Sequence, residues 1–127
     1  MAYTTINNGK LYFNTKLYTG NGSAGHAITG VGFQPDWVWI KNRASGNHRI
    51  TDAVRGVTKE IYSDLTNAEA TNSNGLTAFG TDGFTVGSSN DYNANSGNIV
   101  SWNWIAAGTA PSKTYTVKVV SDGGNKY

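Results

Sequence analysis

The chain has no cysteine, two prolines and one methionine among its 127 residues. Without cysteine there is no disulfide, no thiolate nucleophile and no cysteine-zinc site, so packing and backbone hydrogen bonds must hold the fold together. The redox compartment is left open. Charge is scarce as well: 14% of residues are charged and the formal net charge is +2. That balance argues against a polyanion groove and against a membrane-surface patch, so nucleic acid is not an expected partner. No apolar run approaches the ~20 residues needed to cross a bilayer, and "MAYTTINNGK" lacks the basic start and apolar middle of a signal peptide. Membrane insertion is not expected either.

What is present favours strands. Gly, Asn, Thr and Ser supply turn formers in quantity, whereas the strong helix formers Leu, Glu and Lys are comparatively few. A domain of this length buries roughly 65–70% of its unfolded surface, so a self-sufficient core is possible. Residues 1–10 carry little apolar periodicity and read as an N-terminal arm. Strands are expected at "LYFNTKLYT", "HAITGVGF", "WVWIK", "HRITDAVRG", "KEIYSD", "LTAFGT", "GFTVGS" and "NIVSWNWIAA". The loop "LTNAEATNSNG" has room for a helical turn at most. Residues 11–107 thus form one β domain, 108–112 a linker, and 113–127 ("KTYTVKVV" onward) a final strand that opens a further module. Frequent turn signals without a 3.6-residue period predict an all-β, jelly-roll-like antiparallel β-sandwich.

Two tryptophan pairs stand out, Trp37/Trp39 and Trp102/Trp104, each mid-strand and flanked by aliphatic residues. Their spacing puts the members of each pair on one face of a strand. The expectation is that both pairs are mainly core, with indole nitrogens hydrogen-bonded near the rim. The alternative is a ring lining an open groove.

Catalytic signatures are missing. The acidic residues Asp36, Asp52, Glu60, Asp64, Glu69, Asp82, Asp91 and Asp122 include no i, i+2 pair of the kind glycosidases on such sandwiches use, although Asp52 and Glu60 could meet across strands. There is no GxSxG elbow, and His26 and His48 are the only imidazoles. Gly20, Gly22 and Gly25 match GxGxxG formally, but no helix-forming segment follows, so a glycine-rich hairpin loop is expected there. In "NDYNANSGN", Asp91, Asn93 and Asn95 resemble the start of a calcium loop. Gly97 falls one position late and Trp102 stands where a glutamate belongs, so this is a weak calcium candidate and an Asn-rich turn is the plainer reading. No cofactor is implied.

The densest polar cluster is "NRASGNHRITDAVRG", with Asn42, Arg43, His48, Arg49, Asp52 and Arg55. Its donor-rich side chains suit recognition of carboxylate-bearing or hydroxyl-rich glycans, or of a neighbouring subunit. The simpler role is a loop held by Asp52 pairing with Arg49 or Arg55.

Five segments in order, "FNTKLYTGNGS", "ITGVGFQPDWVWIKNR", "HRITDAVRGVTKEIYSD", "LTAFGTDGFTVGS" and "VSWNWIAAG", resemble the lectin-like, concanavalin-A-like domain of tailed-bacteriophage virion structural proteins, such as tail-fibre and appendage proteins of marine and cyanobacterial phages. Asn103 and Ile105 depart from the cysteine and lysine often found in that last segment. The resemblance implies a jelly-roll sandwich on the virion, made in the host cytoplasm, with no catalytic residues to carry over. It further implies other virion proteins as partners, host-surface glycan as a ligand, and a homotrimer as a plausible assembly, although no heptad repeat announces one. The expected function is a non-enzymatic tail-fibre or appendage module contributing to host adhesion. The alternatives are a capsid decoration or cement protein and, third, a glycan hydrolase.

Overall fold

The computed structural model describes residues 8–106; the arm before residue 8, the 108–112 linker and the 113–127 strand lie outside the described residues. The elements are a short 3-10 turn at Gly9–Leu11, then β1 (Phe13–Thr19), β2 (His26–Thr29), β3 (Trp37–Asn42), β4 (Arg49–Asp52), β5 (Lys59–Glu60), β6 (Ala70–Thr71), β7 (Leu76–Gly80), β8 (Gly83–Val86), the one-turn helix α1 (Asn90–Asn93) and β9 (Asn98–Trp104). The loop given room for a helical turn holds the short strand β6 instead, which pairs with β5. The helical turn sits later, in the Asn-rich segment.

The strands form an antiparallel β-sandwich. One sheet has the order β1-β9-β3-β4, the other β2-β8-β7, with β5-β6 as a small ribbon. A bridge between Ile50 and Ile61 ties that ribbon to β4. The pairings nest as in a jelly roll: β1 with β9, and β2 with β8. The segment Gly20–Gly25 therefore carries the chain from one sheet to the other and is not a hairpin loop. Close packing explains its glycine content, because a Cβ on Gly20 would collide with the Ala94 carbonyl.

Between the sheets lie Ile28, Val38, Ile40, Leu76, Phe84, Val86, Tyr92 and Ile99, with Tyr18 and Phe79 packed against them. On β3 and β9 the inward side chains are thus Val38, Ile40 and Ile99, joined by the polar Asn42, Ser101 and Asn103, while Val100 is buried on the opposite face. The tryptophans alternate with these and occupy the opposite, outer face, where all four are only half-buried. The expectation that they form the core is overturned. Asn103 is tolerated inside because its amide donates to Asn14 O (3.0 Å) and Ser101 Oγ (3.1 Å).

Candidate functional site

The outer face of the larger sheet is built by cross-strand register. Trp37 lies opposite Trp104 and Trp39 opposite Trp102, so two i, i+2 pairs on neighbouring strands merge into one aromatic patch. β1 adds Phe13 beside Trp104, with ring centroids 4.7 Å apart. Within the patch, Trp37 meets Trp104 edge-on at 4.5 Å and Trp39 at 6.0 Å, while Trp39 lies 5.4 Å from Trp102. Tilted and edge-to-face contacts of this kind suit the ring quadrupoles and fix each ring against its neighbours. Trp39 is fixed further, since its indole N–H donates to His48 Nδ1 at 2.9 Å. That bond requires an unprotonated Nδ1. At one end of the patch Trp37, Trp104, Ile105 and Ala106 line an open depression of about 380 Å³.

Following the same face along the strands, Val100 lies between Leu17 on β1 and Lys41 on β3. Beyond them Arg43 continues the ladder, its backbone N–H bonded to Asn98 O at 2.9 Å. A shallow depression of about 180 Å³ opens here, lined by Leu17, Tyr18, Thr19, Arg43, Asn98 and Ile99. Leu17 is 65% exposed. The face thus runs from an aromatic end to an aliphatic and cationic one.

The sequence cluster 42–55 is dispersed by the fold. Asn42 is buried, donating to Asn90 O (2.9 Å) and accepting from Ala44 N (3.1 Å). Arg43 is exposed at the cationic end of the outer face, and His48 supports Trp39. Asp52 caps the turn that follows it, accepting from Val54 N and Arg55 N, and ion-pairs with Arg55. Arg55 also reaches Glu69 at 3.3 Å.

Arg49 goes elsewhere. It ion-pairs with Asp91 and lies 3.7 Å from Glu60, with its guanidinium 4.3 Å over the Tyr62 ring. Burial alone would lower its pKa, but the hydrogen bond and charge of Asp91, aided by Glu60 and Tyr62, hold it above the ordinary arginine value. Glu60 is 4% exposed and accepts from the Tyr92 hydroxyl (2.8 Å), Asn72 (3.1 Å) and the Tyr62 hydroxyl (3.2 Å). Burial, reinforced by the Glu60 charge, raises the Tyr62 pKa. Tyr92 is raised far more, mainly by burial. Thr51 faces the same Tyr92 hydroxyl, so Asp52, the next residue on the strand, points to the other side of the sheet. Asp52 and Glu60 do not form a carboxylate pair.

Asp91, Asn93 and Asn95 do not converge. Asp91 is held by Arg49, Asn95 is exposed, and Asn93 is fully buried. The Asn93 carbonyl accepts from Asn21 N (2.9 Å) and meets His26 Nδ1 at 2.8 Å, while its amide donates to Ser23 O (2.8 Å), Gly87 O (2.9 Å) and Asn21 Oδ1 (3.0 Å). It cross-links the β1–β2 loop to β8 and α1. Among the described residues no cluster of three His, Cys, Asp or Glu side chains could hold a metal ion, and none of the helices is long and apolar enough to cross a membrane.

Fold and site together define an antiparallel β-sandwich whose larger sheet carries a half-exposed aromatic face. The chain belongs to the family described as "Domain of unknown function (DUF7483)", whose model matches residues 8–122. No curated protein and no solved structure matches it.

Proposed function

We propose that this domain is a non-enzymatic structural module of a bacteriophage virion, part of a tail fibre or similar appendage, that contributes to host adhesion by binding surface carbohydrate. The phage assignment rests on the ordered sequence resemblance. The binding assignment rests on one observation: Trp37, Trp39, Trp102 and Trp104 form a single patch on a sheet face turned away from the core. Aromatic rings bury the apolar faces of sugar rings while leaving the hydroxyls to water, and these rings are held in place before any ligand arrives. The polar groups support the same reading. The carboxylates best placed for chemistry, Glu60 and Asp91, are occupied by Arg49 and tyrosine hydroxyls, which suits a rigid scaffold better than acid–base turnover.

The test is a pair of substitutions, Trp104→Ala and Trp102→Ala, assayed for retention on host-envelope polysaccharide and for adsorption of particles to cells. Each should weaken retention by about tenfold, equivalent to about 1.4 kcal/mol of lost contact, with particle yield unchanged. Unchanged retention in both variants would remove the aromatic face from the binding reaction. Particles that lose the protein altogether would favour the decoration reading, in which this face packs against other virion subunits.

A further inference from the structure

From the layout of the outer face we infer that the carbohydrate is acidic and lies along the strands with sugar rings over the tryptophans and one carboxylate-bearing sugar at Arg43. This rests on the carbohydrate-binding reading above and deepens it. Three observations carry it.

The first is continuity. Trp104/Trp37, Trp102/Trp39, Val100/Lys41 and Asn98 with Arg43 are successive rows of one face, about 20 Å long at 3.3–3.4 Å per residue. That is room for several sugar rings.

The second is the state of the cations. Arg49 and Arg55 are neutralised by Asp91, Glu60, Asp52 and Glu69, and Lys41 Nζ is spent on the carbonyls of Gly46 (2.5 Å) and Ser45 (3.4 Å). Arg43 alone among these has no side-chain partner within the described residues. Arg43 is exposed and lines the shallow depression together with Leu17. A planar fork of donors next to an aliphatic surface suits a carboxylate carried on a sugar ring.

The third is polarity along the face. At the aromatic end Asp52 stands opposite Trp37 and is paired with Arg55, and Asp36 accepts from the Ala106 N–H. The cation without a side-chain partner among the described residues, Arg43, stands at the other end, so a ligand carboxylate is favoured there, which gives the ligand a direction. Single-stranded nucleic acid also combines stacking with charge, but it needs a basic track along its phosphates. One free cation on a four-row face does not provide it.

Retardation of the full chain in gels containing alginate, a polyuronate, tests this against carboxyl-reduced alginate, its neutral counterpart, and against oligothymidylate. The expected result is tighter binding to alginate than to the reduced polymer. Arg43→Gln should weaken alginate binding about fivefold, the range of one exposed charge pair, and leave the reduced polymer unaffected. Trp102→Ala should weaken both. Equal binding of the two polymers, with no effect of Arg43→Gln, overturns the anionic ligand while leaving the carbohydrate reading in place. If the folded protein binds neither polymer, both readings fall. Retention by oligothymidylate alone, lost in Arg43→Gln, overturns the inference in favour of nucleic acid. Arg43 is exposed, so the substitution does not threaten folding.

Discussion

Replacing Asn93 with alanine should cost more than replacing any exposed asparagine in the chain, and the cost can be built from its bonds. The side chain is fully buried and serves Asn21 N, His26, Ser23 O, Gly87 O and Asn21 Oδ1. A buried group left unpaired costs about 1–3 kcal/mol. Asn21 and Ser23 are exposed residues, so water can replace part of what they lose, whereas Gly87 is buried. With the Gly87 carbonyl counted in full and the other four bonds at about 0.5–1 kcal/mol each, the total is about 3–7 kcal/mol. For a domain of this size even the lower end of that range lowers Tm by roughly 10 °C or more. Urea unfolding at neutral pH measures it, with Asn95→Ala as the exposed control, expected within about 0.5 kcal/mol of the parent. Asn93→Asp adds a signature. Its carboxylate would face the carbonyls of Ser23 and Gly87, which raises its folded-state pKa above the unfolded value. That variant should therefore be most stable in acid and lose stability as pH rises through the raised pKa. A loss below about 1 kcal/mol for Asn93→Ala, or an Asn93→Asp variant most stable at neutral pH, would refute the claim that this amide pins the β1–β2 loop.

Three other outcomes follow from buried or pinned groups. Burial raises the phenol pKa values of Tyr18 and Tyr92 above the ordinary value near 10. The stability they contribute is complete below pH 10 and falls above it by about 1.4 kcal/mol per pH unit for each residue. Urea titrations between pH 9 and 11.5 should show that slope reduced in Tyr18→Phe by about 1.4 kcal/mol per pH unit. Arg49→Met leaves Glu60 and Asp91 without their cation and should cost about 3–5 kcal/mol by chemical denaturation; a cost under 1 kcal/mol would mean that the cluster is solvated. The backbone N–H groups of Gly32 and Gly30 hold the Asp82 pKa below the ordinary carboxylate value. The stability this provides is present above that ordinary value and is lost as pH falls through the depressed one, so Asp82→Asn should flatten the acid limb of a stability–pH curve.

Much of the architecture was legible because turn formers and short alternating runs delimit each strand: "WVWIK" and "GFTVGS" correspond to β3 and β8 within two residues, and "NIVSWNWIAA" begins where β9 begins and runs past its end. Facing was harder. On β3 both faces are apolar, and the larger residues, Trp37 and Trp39, looked like the better core. The inner face took Val38 and Ile40 instead, since the opposing sheet already fills the interior with Leu76, Phe84 and Val86. β9 misled in the same way, because its inward side carries Ser101 and Asn103, which bond each other while Asn103 also reaches the Asn14 carbonyl on β1. The polar cluster 42–55 was legible as donors but not as a site, because adjacent residues on β4 leave on opposite sides of the sheet. Asp52 was expected to pair with Arg49 or Arg55, and the structure selects Arg55. Arg49–Asp91 was not foreseen, since it joins residues far apart in sequence.

The nested pairing of β1 with β9 governs when folding can happen during synthesis. Phe13 is matched with Trp104 and Thr19 with Asn98, and β9 is also the only described strand between β1 and β3. Until β9 leaves the ribosome, the larger sheet lacks its centre: β1 has no partner in it and β3 can pair only with β4, with aromatic side chains left in water. Loops this long close slowly, and exposed strand edges invite pairing with other chains. Completion of the sheet is therefore set by emergence of its last strand, and a chain stopped before Trp104 is an aggregation hazard rather than a smaller version of the domain.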